Sequence, residues 1–113
     1  EQMLLDKLER VMQEKKPYTN PRFGLDDFCI LLDINKRKAG YLIGQVLNNS
    51  FYGLINEYRV QESIKLLEND DNRKFTIETI ALMSGFQSKS SFYSAFKKYK
   101  NLTPGEYKEA NSV

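Results

Sequence analysis

Histidine is absent from the 113 residues and cysteine occurs once, at position 29. Those two gaps remove a His-based general acid or base, a Cys/His zinc site and a disulfide framework. No apolar run approaches the roughly 18 residues of a membrane span, and the opening EQMLLDKLER is too charged for a signal peptide. Cytoplasm is the expected compartment. The first residue is Glu1 rather than methionine, which suggests a piece cut from a longer protein. A phosphate-cradling glycine loop is also missing, and the acids are scattered, with no pair at helical spacing in an apolar setting. An enzyme is therefore the weakest of the functional readings, with no catalytic residue, cofactor or metal expected.

What is present is 41% hydrophobic content in a chain of ordinary single-domain size, a core sufficient for five to eight short helices. Its organising stretch is 50–70, SFYGLINEYRVQESIKLLEND, which reads as one helix whose apolar side changes halfway along. At about 100° per residue, Phe51, Leu54, Ile55 and Tyr58 cluster on one side, while Val60, Ile64 and Leu67 cluster about 180° away. A helix with a single core would not do that. The spacing predicts a strut whose first half is buried in one small bundle and whose second half is buried in another.

Both bundles can be read on either side of it. Residues 1–15 carry Leu4, Leu8, Val11 and Met12 at helical spacing, and Pro17 and Pro21 bound a polar stretch, KKPYTNPRFG, that reads as a loop. Gly24 caps a short helix over 25–32, with Asp26 and Asp27 in the first turn and Phe28, Leu31 and Leu32 inward. Cys29 reads there as a small core residue, the rival being a reactive thiol with no cation beside it in sequence. Asn35 caps the next helix, 36–47, in which Ala39, Leu42, Ile43 and Val46 form the buried side. Arg37, Gly40, Tyr41 and Gly44 lie opposite. A short helix, a tight turn and a second helix with a basic polar face make a helix-turn-helix.

After the strut the pattern returns. Thr76 caps a helix over 77–84 with Ile77, Ile80, Ala81 and Met83 expected inward, and Gly85 supplies a left-handed turn position. Phe86 plugs the core and Ser88 caps a helix over 89–99, whose Phe92, Ala95, Phe96 and Tyr99 repeat the burial spacing. Leu25, Phe28 and Ile34 match Ile77, Ile80 and Phe86 at a shift of 52. After one extra residue in the second turn, Ala39, Leu42, Ile43, Val46 and Ser50 match Phe92, Ala95, Phe96, Tyr99 and Thr103 at a shift of 53. Thr103, Pro104 and Glu106 form a capping box, so a last helix runs to about residue 110.

Charge follows the same duplication. Residues 34–53 carry +3 and residues 85–105 carry +4, with no acid in either window, leaving −5 on the rest of a chain whose net charge is +2. Two basic windows on an acidic body suit two elements that touch a polyanion, the bland alternative being solvated surface lysines.

TIETIALMSGFQSKSSFYSAFKKYKNLTPGEYKEA resembles the C-terminal signature of AraC/XylS-type bacterial transcription regulators, and FYGLINEYRVQESIKLL resembles that family's linker helix. The similarity runs from about residue 25 to 109. It implies an all-α domain of seven helices, with two homeodomain-like three-helix units, each a helix-turn-helix, joined by a long linker helix and binding adjacent major-groove segments. The expected division is 1–49, 50–70 and 71–113. An upstream sensor, receiver or dimerisation region, RNA polymerase as a further partner, and a monomeric isolated domain complete the expectation. The chain departs from the family at Gly40, where a larger polar residue is usual, and at Ala39, where leucine is usual. Gly40 and Gly44 shift the first unit's expected role toward phosphate contact.

On this reading Lys89, Ser90, Tyr93 and Ser94 are the candidates for base edges in the second unit, and Arg37 and Tyr41 in the first. Lys36, Lys38, Lys97, Lys98 and Lys100 are the candidates for phosphates, where lysine acts as a flexible point charge. Tyr93 could instead be a half-buried packing residue, and the serines plain caps. The alternative of another class is a helical protein-interaction module docking its basic faces on an acidic partner such as a polymerase subunit. A helix-dimer role for the small-xxx-small run GYLIG has no membrane span to support it.

Overall fold

A computed structural model describes residues 1–111, which contain seven α-helices and no strand. They are α1 (Gln2–Lys15), α2 (Leu25–Leu32), α3 (Lys36–Tyr41), α4 (Phe51–Glu68), α5 (Ile77–Met83), α6 (Lys89–Lys100) and α7 (Pro104–Ala110). Ser112 and Val113, the end of the expected 71–113 unit, lie outside the described residues. The all-α, seven-helix architecture is the one expected. The starts of α3 to α7 are set by side chains that satisfy otherwise orphaned backbone donors. Asn35 accepts from the Lys38 N–H, Ser50 from Gly53, Thr76 from Thr79 and Ser88 from Ser91. At α7 the box is reciprocal, Thr103 Oγ1 accepting from the Glu106 N–H at 3.1 Å while Glu106 Oε1 accepts from the Thr103 N–H at 2.8 Å.

α4 is the strut. Leu54 and Ile55, flanked by Phe51 and Tyr58, belong to a core shared with α1, α2 and α3. Val60, with Ile64, Leu66 and Leu67, belongs to a second core with Ile80, Ala81, Phe86, Phe92 and Phe96. The side of the helix therefore changes between Tyr58 and Val60, as its spacing demands. In the first core Phe51 stands edge-on to Phe28 at 5.7 Å; in the second Phe92 does the same to Phe96 at 5.6 Å.

Three features depart from expectation. The helix predicted over 36–47 is α-helical only to Tyr41; Leu42–Val46 widens into a π turn, where the Leu47 N–H reaches back five residues to the Leu42 carbonyl at 2.9 Å. The extra residue per turn brings Leu47 under Leu42, so both face the core, and Asn48 closes the segment in the left-handed region at φ 49°. Asn101, its counterpart at a shift of 53, closes α6 in the same way at φ 58°.

Met83 is not inward: it is exposed, and the last turn of α5 is sealed instead by Ser84, fully buried with its hydroxyl donating to the Ile80 carbonyl at 2.8 Å.

The third departure is the KKPYTNPRFG stretch. Pro17–Thr19 forms a 3₁₀ turn, and Tyr18 and Phe23 are buried in the first core. Tyr18 stacks on Tyr58 at 5.6 Å, and burial, with the Glu62 carboxylate and Tyr58 adding to it, pushes the Tyr18 phenol up to about 12. Arg59, buried at the point where α4 changes sides, donates from Nε to the Tyr18 carbonyl at 2.7 Å and from Nη2 to the Asn20 carbonyl at 3.2 Å. Lys16 Nζ lies 3.1 Å from both carboxylate oxygens of Glu62. The loop crosses α4 and reaches the turn of the second unit, where Gln87 Nε2 donates to the Pro21 carbonyl at 3.3 Å. Gly85, at φ +105°, is required twice over: a Cβ there would stand 2.1 Å from the Tyr18 carbonyl oxygen.

Candidate nucleic-acid interface

The residues singled out from sequence fall on two corresponding helices. On α6, Lys89, Ser90, Ser94, Lys97, Lys98 and Lys100 are exposed, because Phe92, Ala95 and Phe96 use up the inward side. Tyr93 is half-buried: its ring meets Phe92 edge-on at 6.3 Å and Lys89 Nζ lies 5.4 Å from its centroid. The packing role and an exposed edge therefore coexist in that side chain. Lys98 leans toward the linker, lining a shallow depression with Ser90, Ser94 and Asn56 of α4. Lys100 leans the other way, its Nζ 5.8 Å from the Tyr107 ring of α7. Lys97 is exposed, and its charge is felt by the Glu106 carboxylate at the start of α7.

On α3, Lys36, Arg37, Lys38 and Tyr41 are exposed, and Gly40, like Gly44 in the π turn that follows, leaves open space where a Cβ would stand. Arg37 has no protein partner, Lys38 borders a depression shared with α1, and the Tyr41 hydroxyl lies 3.4 Å from Glu1 Oε2. The face is basic but thin, its side chains interrupted by bare backbone at Gly40 and followed by more at Gly44.

The internal repeat extends to an ion pair that the separate reading of each segment missed. Lys36, first residue of α3, pairs with Asp26, second residue of α2, at 3.1 Å; Lys89, first residue of α6, pairs with Glu78, second residue of α5, at 2.9 Å. The Glu78 carboxyl is held below the usual range by its hydrogen bond to Lys89, and the Lys89 ammonium is raised by the same bond. All four side chains are exposed, so these pairs orient the lysines more than they stabilise the fold. The acids share the shift of 52 and the lysines the shift of 53, so the signal was present in the register.

Also missed were Arg22, Tyr52 and Asn56, which line a cleft between the units together with Gln87 and Ser91. Only the fold brings them together, since they lie on the loop, α4 and α6. Among the described residues no group of His, Cys, Asp and Glu is placed to hold a metal ion, and no helix is long and apolar enough to cross a membrane.

Two three-helix units, each presenting the second helix of its helix-turn-helix, α3 or α6, as an exposed basic face, define a tandem helix-turn-helix protein. A helix-turn-helix domain family matches residues 29–110, and the chain belongs to its AraC-type branch of bacterial transcription regulators. It is 38% identical over 91 residues to the probable transcription factor PqrA of Proteus vulgaris, covering 74% of this chain and 72% of that one. It is 34% identical over 77 residues to the melibiose operon regulatory protein of Escherichia coli, covering 66% of this chain and 24% of the regulator. The chain thus spans about a quarter of the melibiose regulator's length. In fold it matches the C-terminal domain of AraT, a response regulator from Geobacillus stearothermophilus, with a TM-score of 0.77 over 100% of this chain and 88% of that one at 19% identity.

Proposed function

We propose that this DNA-binding regulator domain reads duplex DNA sequence by placing α3 and α6 in two adjacent major-groove segments. The observation that carries the reading is the pair of exposed, acid-free helix faces at equivalent places in a duplicated unit. Dimensions support it: the molecule is 45 Å long and 24 Å across, enough to span the roughly 34–36 Å between successive major-groove segments. Within each face, Lys89, Ser90, Tyr93, Ser94, Arg37 and Tyr41 take base edges, and Lys36, Lys38, Lys97, Lys98 and Lys100 take phosphates. Gly40 and Gly44 make α3 the weaker reader. An upstream sensor, receiver or dimerisation region, a contact with RNA polymerase, a monomeric isolated domain and a cytoplasmic location belong to the same reading.

Duplex binding followed by fluorescence anisotropy across a salt series tests it. Five phosphate contacts correspond to a log–log salt slope of about −4 to −5, so affinity should fall steeply between low and physiological salt. A binding constant indifferent to salt would remove the electrostatic half of the reading. Absence of binding to bare duplex would favour docking of the basic faces on an acidic protein instead.

A further inference from the structure

The cleft between the two units is lined by side chains from three elements that neither helix face includes. Arg22 comes from the loop, Tyr52 and Asn56 from the first half of α4, and Gln87 and Ser91 from the start of the second recognition helix and the turn before it. No acid lines it. Its Asn56 and Ser91 also border the depression beneath Ser90, Ser94 and Lys98, so the cleft continues the α6 face toward the first unit.

Arg22 is exposed, and its guanidinium has no protein partner, although its backbone is held on every side. Its N–H donates to Asn20 Oδ1 at 2.9 Å, the Pro21 carbonyl before it is tied to Gln87, and Phe23 after it is buried in the first core. Upstream, Arg59 fixes the Tyr18 and Asn20 carbonyls. A fixed backbone presenting a free guanidinium over an acid-free cleft is arranged for an anion, and the planar fork of arginine matches two oxygens of a phosphodiester.

We propose that the loop is a third DNA-contacting element, and that Arg22 grips the phosphate backbone between the two major-groove segments. The inference rests on the DNA-binding reading above. With α3 and α6 in successive major-groove segments on one side of the duplex, the surface midway between them faces the intervening minor groove and its two phosphate ridges. The cleft lies where the loop and the first half of α4 meet the second unit, and Tyr52 and Asn56 line it with Arg22. Because the contact is to backbone, it adds affinity and fixes the spacing of the two reading helices while carrying no sequence preference of its own.

The test uses the full chain, a duplex selected for tight binding to it, and a random duplex. Arg22→Ala should weaken both by a similar factor, about tenfold, and flatten the salt slope by about 0.9, with an unchanged melting temperature. Arg22→Lys should recover part of the loss. Replacing the phosphates midway between the two contacted segments by neutral methylphosphonates should weaken the wild type and leave Arg22→Ala unaffected. If Arg22→Ala binds as the wild type does while Lys98→Ala is weakened, the loop contact is wrong and the two-helix reading stands. If Arg22→Ala remains as sensitive to the midway methylphosphonates as the wild type, Arg22 acts elsewhere and the inference is overturned. If selection yields no duplex that the wild type binds, the DNA reading itself fails.

Discussion

Asp33 and Gly85 occupy the same place in the two units, the residue that ends the leading helix and opens the turn, and both have positive φ, 56° and 105°. The first tolerates a side chain because it faces solvent. The second does not, because the carbonyl of Tyr18 stands where its Cβ would be. A difference of one residue between two copies of a motif therefore records which copy the loop leans on. The recognition helices differ in the same directed way. At the shift of 53, Ala39 and Phe92 are both fully buried, but Phe92 brings a ring to its core, while the first core takes its rings from Phe23, Phe28 and Phe51 on other elements. The second unit is held by its own recognition helix; the first is held by what surrounds it.

The largest effect that contrast predicts is at the paired core positions. Phe92→Ala should cost about 3–5 kcal/mol, as ring deletions in closed cores do, whereas Ala39→Gly should cost about 1 kcal/mol, mostly through helix propensity. Denaturant midpoints at constant slope read both. Similar costs would mean that α3 and α6 contribute alike. Next comes the turn. Gly85→Ala should lose about 3 kcal/mol, from a backbone conformation that alanine resists and from the contact with Tyr18, while Asp33→Gly should change stability by less than about 1 kcal/mol. A mild Gly85→Ala would show that the loop can lift off the second turn without loss.

The asymmetry was only partly legible in the sequence. Helices, caps and the change of side in α4 could be read because each follows from local spacing or from one capping residue, and the duplication multiplied every such signal by two. The loop could not be read that way. Two prolines and a run of polar residues describe a solvated connection, and the aromatics Tyr18 and Phe23 were the one hint that it was packed. Arg59 carries no local sign of its role, since its partners are carbonyls some 40 positions earlier. The π turn at Leu42–Val46 was hidden for a related reason: the 3.6-residue count already placed Leu42 and Ile43 inward, and the wider turn altered only where Leu47 falls.

The small residues of the first unit, taken alone, would make that whole unit the weaker of the two. Ala39, Gly40, Gly44 and Gly53 all argue for it, but α1 and the loop add Leu8, Met12, Tyr18 and Phe23 to the same core. Weakness should be confined to α3 and the π turn.

A smaller contrast concerns the lysines that begin the recognition helices. Lys89 and Lys36 are held by Glu78 and Asp26, and a paired ammonium must be shared with, or taken from, its carboxylate before it can meet DNA. Glu78→Gln should therefore tighten binding to any duplex several-fold, by freeing Lys89 and removing a negative charge near the phosphates. Lys89→Ala should weaken a selected duplex about tenfold or more and a random one less; Lys98→Ala, assigned to phosphate, should weaken both alike. Anisotropy titrations on the two duplexes separate these. If Lys89→Ala and Lys98→Ala behaved identically on both, the sorting of the α6 face into base and backbone contacts would be wrong.

The smallest expected effect locates the soft segment. Gly40 lies within α3 with no atom within 4 Å of a would-be Cβ, so alanine there adds helix propensity and restricts the unfolded chain without a clash. Gly40→Ala should raise stability by about 0.5–1 kcal/mol. Because α3 is short and continues into a π turn, amides in 36–47 should exchange faster than those in 89–100 in the wild type, and the substitution should slow the first set while leaving the second unchanged. The same variant places a methyl group on the face assigned to DNA. A gain in stability accompanied by weaker duplex binding would mean that the bare backbone of α3 lies against the phosphates, and a gain with binding unchanged would mean that Arg37 and Tyr41 hold that helix away from them. Loss of stability would require Gly40 to face the core, and the assignment of the exposed side of α3 would have to be withdrawn.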